Sequence, residues 1–247
     1  MIVNITIPVF NEEMQLRASI TTLNKFFKKQ CRFNYQIVIA NNGSTDRTLE
    51  IARELSMEIP ELSVLHLQSK GRGLALHTAW SQSKADIFSY MDVDLSSDLN
   101  SFPSLIEAVQ SGNFDVAVGS RILKPALTTR SLKREFISRC YLLILKSAFR
   151  ITFSDAQCGF KAISRRAASM LLPLVEDRGW FWDTELLVLA DAMGLKIFDL
   201  PIRWVDDPDS RVKIFQTALA DLKGILRLRR YLARHKEIHN FFTPAKI

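Results

Sequence analysis

Two aspartates one residue apart, Asp92 and Asp94 in YMDVDLS, close an apolar run. Carboxylates so placed at a strand end can share a divalent cation with a ribose or a diphosphate, because Mg²⁺ and Mn²⁺ favour carboxylate and phosphate oxygens. The same spacing also serves to cap helices. A second polar cluster, Asp155, Gln157, Cys158 and Lys161 in DAQCGFK, matches no common metal or nucleophile template and leaves open whether Asp155 is a base. A third group is cationic. Residues 120–150 hold eight Lys/Arg against Glu135 alone, and residues 211–247 hold nine against Asp221 and Glu237, so each block nets +7 in a chain whose total is +7. The remainder is net acidic, and cations segregated in this way point to an anionic partner: a phosphate group, a membrane surface or nucleic acid.

The elements that must position these groups follow from hydrophobic periodicity. VNITIPV alternates as a strand, and MQLRASITTLNKFFKK repeats Leu16, Ile20, Leu23 and Phe27 at helical spacing. YQIVIA and LSVLHL read as the second and third strands, RTLEIARELS and GLALHTAWSQS as the helices after them, and ADIFSYMDV and FDVAVGS as two further strands. This alternation predicts an α/β domain with a mostly parallel sheet flanked by helices, in which ligands gather at the carboxyl ends of strands. Every polar motif is expected at such an end. Beyond Gly119 the alternation stops: an amphipathic segment over 126–153, too charged for a membrane span, suits a surface, and WDTELLVLADAMG and KIFDLPIRWV follow as a helix and a strand. The domain is expected to end near residue 210, with 211–247 as a basic amphipathic extension carrying Phe215, Leu219, Leu222 and Leu226 on one side and Lys223, Arg227, Arg230 and Arg234 on another. Met1 leads straight into the first strand, which predicts no secretory signal and a cytoplasmic catalytic part. Three cysteines without a CxxC pair predict reduced thiols rather than a disulfide framework or structural zinc.

The loops PVFNEE, NNGSTD and KGRG follow the first three strands and open toward the same edge as the Asp92/Asp94 pair. In that order the motifs resemble the inverting, nucleotide-sugar-dependent glycosyltransferases of family 2, with the Rossmann-like GT-A fold, over roughly residues 1–210. The resemblance implies that Pro8, Glu12, Asn42 and Asp46 line a nucleoside pocket with Lys70 and Gly71 beside it. It implies too that Asp92 and Asp94 hold ribose, diphosphate and a Mg²⁺ or Mn²⁺ cofactor. Many relatives carry two aspartates where this chain has Asn41 and Asn42, so recognition of the base by a carboxylate is not implied and the donor, of UDP-glucose or GDP-mannose type, stays open.

The later motifs, GSR, LKREFISR, DAQCGFK and WFWDTELL, resemble the branch that transfers a hexose to a polyprenyl or dolichyl phosphate. By that resemblance Arg121, Arg134 and Ser138, with Arg211 less securely, hold the lipid phosphate, and Asp94, Asp155, Arg121 and Arg134 form the catalytic set. A phosphate monoester with a second pKa near ~6 reaches neutral pH largely without a proton to remove. Asp155 is then expected to bind donor-sugar hydroxyls, as Gln157 can, or to fix Lys161 or an arginine. Cys158 is expected to fill space, and Trp180 and Trp182 either to pack in the core or to cover the donor. The expected partners are a nucleotide sugar, a polyprenyl phosphate and the cytoplasmic face of a membrane, met peripherally through the 136–153 helix and the basic tail. A hydroxyl-acceptor transferase with Asp155 as base is the second reading. A nucleic-acid-binding protein is the remote one, because the chain lacks a basic–aromatic RNA motif or a DNA-reading helix signature. Oligomeric state is not legible.

Overall fold

The computed structural model describes residues 1–124, 126–129, 132–205, 214–235 and 238. Its strands are β1 (Ile2–Val9), β2 (Asn34–Asn42), β3 (Leu62–Leu67), β4 (Ile87–Met91), β5 (Val116–Ser120), β6 (Leu127–Thr129), β7 (Phe160–Ser164), β8 (Ile197–Pro201) and β9 (Arg203–Val205). The helices are α1 (Leu16–Gln30), α2 (Thr48–Glu58), α3 (Arg72–Gln82), α4 (Phe102–Gln110), α5 (Leu132–Ala148), α6 (Arg165–Leu171), α7 (Trp182–Ala192) and α8 (Ile214–Arg234). Seven strands form one sheet in the order β3-β2-β1-β4-β7-β5-β8, and β6 pairs with β9 in a separate ribbon. This is the mostly parallel α/β architecture that the periodicity predicts.

Both strands are buried on both faces: Val3, Ile5 and Ile7 line one face of β1 and the polar Asn4 and Thr6 the other, and on β2 Ile37 and Ile39 alternate with Val38 and Ala40. Helix α1 buries the predicted stripe of Leu16, Ile20, Leu23 and Phe27 in the same core. Pro8, which cannot donate to a ladder, lies beyond the β1–β4 pairing, which runs from Val3↔Ile87 to Thr6↔Tyr90.

Strand β7 alone runs against its neighbours, antiparallel to both β4 and β5. The DAQCGFK motif therefore does not follow a carboxyl strand end, as expected, but precedes an amino end. Reversal brings it to the same edge, because Phe160 pairs with Met91 just before the Asp92/Asp94 pair and Lys161 pairs with Val118.

Three further expectations change. The segment 126–153 is not one helix: Leu127–Thr129 finds a parallel partner in Arg203–Val205, and the helix occupies Leu132–Ala148. KIFDLPIRWV divides at Ile202, whose N–H donates to Ser120 O at 3.1 Å while the chain leaves the main sheet for the β6 ribbon. On α8, the stripe of Leu219, Leu222 and Leu226 faces outward, whereas Asp221, Gly224, Ile225, Leu228 and Leu232 are buried. Phe215 is not among the residues whose side chains are described.

Glycine selects that inner face. A methyl on Gly224 would overlap the Phe181 ring just ahead of α7, so α8 can approach α7 this closely only where a side chain is missing. Gly224→Val should lower the melting temperature by roughly 5 °C, the scale of an overpacked contact in a domain this size. Limited proteolysis should then cut first within α8, and unchanged melting with unchanged protection would show that α8 does not dock through this position.

Candidate active site

Two charged networks lie at the sheet edge where β4, β5 and β7 meet. The first is buried around Asp183, in the first turn of α7. Its carboxylate accepts from Lys161 Nζ at 3.0 Å, from the Tyr90 hydroxyl and from Arg72 Nη1. Lys161 is 1% exposed and also donates to Tyr90 Oη at 3.0 Å and to Cys158 O at 2.6 Å. Burial alone would raise the Asp183 pKa, but the Lys161 and Arg72 charges outweigh it and hold the carboxyl below the ordinary range. The second guanidinium arm of Arg72 reaches Asp92 Oδ1 at 2.8 Å, so the fork that neutralises a core carboxylate also orients the first aspartate of the DxD pair. Trp180 lies exposed over the Arg72 guanidinium, 5.2 Å from ring centroid to Cζ, while Trp182 is buried edge-on to Trp80 at 5.3 Å.

The second network is Arg121–Asp155. Arg121 Nε donates to Oδ2 at 2.8 Å, Nη2 to Oδ1 at 2.9 Å and the Arg121 backbone N–H to Oδ2 at 3.1 Å. Asp155 is 3% exposed. Its burial favours the neutral acid, yet the Arg121 charge and hydrogen bonds win and keep its pKa depressed. A carboxylate held this way is a weak proton acceptor and a strong orienting group for a guanidinium. Arg121 in turn lies 5.4 Å from the Trp204 ring centroid, which gives that tryptophan a role beyond packing. A narrow cleft beside the pair is lined by Arg121, Ser138, Tyr141, Asp155 and Gln157.

The connecting glycine joins the networks. A methyl on Gly159 would overlap the Asp92 carboxylate, so the DAQCGFK loop and the DxD pair are in direct apposition. Asp94 Oδ1 accepts from Ser96 N at 2.9 Å, a local turn bond.

The other expected donor residues line the neighbouring loops, several with structural partners already. Asn42 Oδ1 accepts the Gly71 N–H, and Asn41 Nδ2 meets His66 Nδ1 at 3.0 Å. Asn41 thus ties β2 to β3, and Asn42 ties the end of β2 to the turn before α3. Asp46 accepts from Thr48 N at 3.0 Å and Thr48 Oγ1 at 2.5 Å, an Asx turn leading into α2, and from Glu13 N at 3.3 Å. Glu12 accepts from Gln15 Nε2 at 2.6 Å, Pro8 is the penultimate residue of β1, and the Lys70 ammonium sits 3.7 Å from the Phe10 ring centroid. Ser138 lies on α5 facing the cleft. Arg134 falls within the α5 backbone but its side chain is outside the described residues, as is all of Arg211.

Cys158 is fully buried, and burial pushes its thiol up to about 12, which fits a space-filling role. Lys161 is a core counter-ion rather than a ligand group. Arg72, Tyr90 and Asp183 were not singled out by pattern; an acid opening the apolar helix of WFWDTELL and the arginine inside KGRG were the available signals.

Among the described residues, no group of three or more His, Cys, Asp or Glu side chains could hold a metal. Asp92 and Asp94 offer hard oxygens for a divalent ion that takes its remaining ligands from phosphate and water, which fits Mg²⁺ or Mn²⁺ and not a closed zinc site. Asp183→Asn should destabilise the fold by about 3–5 kcal/mol in urea titration at pH 7, because Lys161 would stay buried without its counter-charge. Adding Lys161→Met should recover part of the loss. A depressed carboxyl stabilises above its unfolded pKa of ~3.9 and loses that contribution as pH falls through its native value, so wild type and variant should converge in acid.

The profile of "Glycosyl transferase family 2" matches residues 4–172. The chain is 35% identical over 230 residues to glycosyltransferase AglD of Haloferax volcanii, covering 91% of this chain and 36% of that protein. It is 27% identical to dolichyl-phosphate beta-glucosyltransferase ALG5C of Trichomonas vaginalis (84% of this chain, 65% of that protein) and 26% identical to the Saccharomyces cerevisiae dolichyl-phosphate beta-glucosyltransferase (92% and 73%). The chain thus spans about a third of the length of the archaeal relative and just under two thirds of the Trichomonas one. In fold it is similar to Mycobacterium tuberculosis glucosyl-3-phosphoglycerate synthase, with a TM-score of 0.68 at 19% identity over 92% of this chain and 80% of that one. With the family profile covering well over half its length, the chain belongs to glycosyl transferase family 2.

Proposed function

We propose that this chain transfers a hexose from a nucleoside diphosphate sugar, of UDP-glucose or GDP-mannose type, to the phosphate of a polyprenyl or dolichyl lipid, with inversion. The observation that carries this reading is the Arg121–Asp155 pair at the cleft. A hydroxyl acceptor needs a base, and Asp155, the one carboxylate lining the cleft among the described residues, spends both oxygens on a guanidinium and has a depressed pKa. A dianionic phosphate needs no base. It needs cationic positioning in line with the anomeric carbon, which an oriented arginine supplies together with α5. A phosphate oxygen then bonds to the anomeric carbon as the bond to the diphosphate breaks, and the nucleoside diphosphate leaves. Asp92 and Asp94 would hold the divalent ion, whose charge offsets that developing on the leaving group. The names of the dolichyl-phosphate beta-glucosyltransferase relatives support a lipid-phosphate acceptor and favour glucose.

The outer surface supports action at a bilayer. Phe136, Leu143 and Ile144 of α5 and Leu219, Leu222 and Leu226 of α8 are exposed. Lys223, Arg229, Arg230 and Arg234 are exposed alongside the α8 stripe. Apolar residues flanked by cations suit the interface of an anionic leaflet such as the cytoplasmic one, met peripherally. Among the described residues no helix is long and apolar enough to cross a membrane.

With Mg²⁺ or Mn²⁺, radiolabelled UDP-glucose or GDP-mannose and a polyprenyl phosphate, label should move into the organic phase. Arg134→Ala should abolish this while nucleotide binding survives. Asp155→Asn should lower the rate without introducing an acidic limb to the pH profile; water-soluble product alone, or a rate rising through an acidic pKa that the variant lacks, would return Asp155 to the role of base. In flotation assays, replacing Leu219, Leu222 and Leu226 together by serine should release the protein from vesicles containing phosphatidylserine, and undiminished flotation would remove α8 from the docking surface.

A further inference from the structure

Helix α8 carries one acid, Asp221, and it points inward. It is 3% exposed, on the same buried face as Ile225 and Leu228. Oδ2 accepts from Gln157 Nε2 at 3.0 Å, and Oδ1 is buried with no hydrogen-bond partner among the described residues. A carboxylate in this setting costs stability relative to an apolar residue of similar size, so packing alone does not account for it. Its surroundings add little compensation: Asp177 ahead of α7 and Asp183 within it are like charges, and on α5 the Tyr141 hydroxyl is shared with Thr184 Oγ1 at 2.8 Å.

What Asp221 does achieve is to fix one end of an amide that lines the cleft. Gln157 is held twice: its backbone N–H donates to Asp155 Oδ1 at 3.1 Å, and its side-chain nitrogen donates to Asp221. A glutamine amide has a donor end and an acceptor end, and committing the nitrogen to a carboxylate leaves the carbonyl oxygen for the cleft. We infer that Asp221 is a positioning residue, which turns the Gln157 amide so that its carbonyl oxygen accepts a hydrogen bond from a hydroxyl of the donor sugar and thereby makes α8 a wall of the site. The inference rests on the nucleotide-sugar donor proposed above, and does not depend on the acceptor.

The test compares binding of UDP-glucose or GDP-mannose with binding of UDP or GDP, by calorimetry with Mn²⁺ on the full chain. Asp221→Ala and Gln157→Ala should each weaken the nucleotide sugar by about tenfold, the scale of one lost hydrogen bond, and leave the nucleoside diphosphate unchanged. The double variant should be no weaker than either single one. Equal losses for sugar-bearing and sugar-free ligands, additive losses, or no loss overturn the assignment. Because no acceptor is present, lipid-phosphate transfer can fail in its own assay while this result stands, and the reverse.

A second measurement reads the contact without any ligand. Burial, with the Asp177 charge adding to it and the Gln157 hydrogen bond opposing, pushes the Asp221 carboxyl up to about 7. In glutamine-labelled protein, the Gln157 side-chain NH₂ resonances, identified by their loss in Gln157→Ala, should move with a midpoint near that pH and become insensitive in Asp221→Asn. A carboxyl raised in the native state stabilises at low pH and loses that contribution as pH rises through its native value. Asp221→Asn should therefore melt higher than wild type above pH 7, and a titration unaffected by the substitution would separate Gln157 from Asp221.

Discussion

The site depends on one buried carboxylate finding its counter-charges. Asp183 is taken out of water inside α7, and an unpaired charge there would cost several kcal/mol. Lys161 from β7, Arg72 from α3 and the Tyr90 hydroxyl from β4 converge on it. Those partners come from positions 72, 90 and 161, far apart in the chain, so the requirement acts on the fold as a whole. It sets how deep α7 sits against the sheet and aligns β7 against β4. Because the free arm of the same Arg72 fork reaches Asp92, the geometry of the DxD pair is inherited from the core.

Reversing a single strand solves a positional problem. In a sheet of parallel strands, a loop that leads into a strand lies on the edge opposite the loops that leave strands. Antiparallel β7 puts the loop it follows beside the ends of β4 and β5, where Gly159 lets the backbone lie against the Asp92 carboxylate. The Asp92/Asp94 pair and the Arg121–Asp155 pair are thereby brought to one edge of the sheet without a long excursion of chain.

Much of this was legible in the sequence. Alternating strands and helices gave the parallel half of the sheet, and the DxD pair and the loops after the first three strands marked its working edge. What escaped had physical causes. A five-residue apolar run such as FKAIS carries no sign of its direction, so β7 read as part of a loop motif. Asp155 was expected to bind sugar hydroxyls or to fix Lys161 or an arginine, and composition cannot distinguish these: it holds Arg121, while Lys161 faces the buried Asp183 carboxylate. Asn42 and Asp46 sit where a nucleoside pocket was expected, and their side chains are engaged by Gly71 and Thr48 in joining the loops. Helix α8 has two stripes at helical spacing, Leu219–Leu222–Leu226 and Ile225–Leu228–Leu232. Periodicity registers both equally, and the inner one is chosen by the gap at Gly224 and the bond from Gln157 to Asp221.

Asp155 shows how the environment decides what a carboxylate does. The same residue in an open, apolar pocket would have a raised pKa and could take a proton from a hydroxyl. Here it receives two side-chain donors and a backbone donor from Arg121, so the energy of a charge-assisted pair is spent on the orientation of a guanidinium. That arrangement suits the proposed site, in which the cation, not the carboxylate, meets the reactant. An anion already stripped of its proton is the acceptor proposed for such a site, and the adjoining Gln157, held between Asp155 and Asp221, would leave a neutral oxygen for hydroxyls of the proposed donor sugar. On the proposed reading, charge would handle the phosphate and a fixed amide the sugar, with Asp155 and Gln157 separated by one intervening alanine.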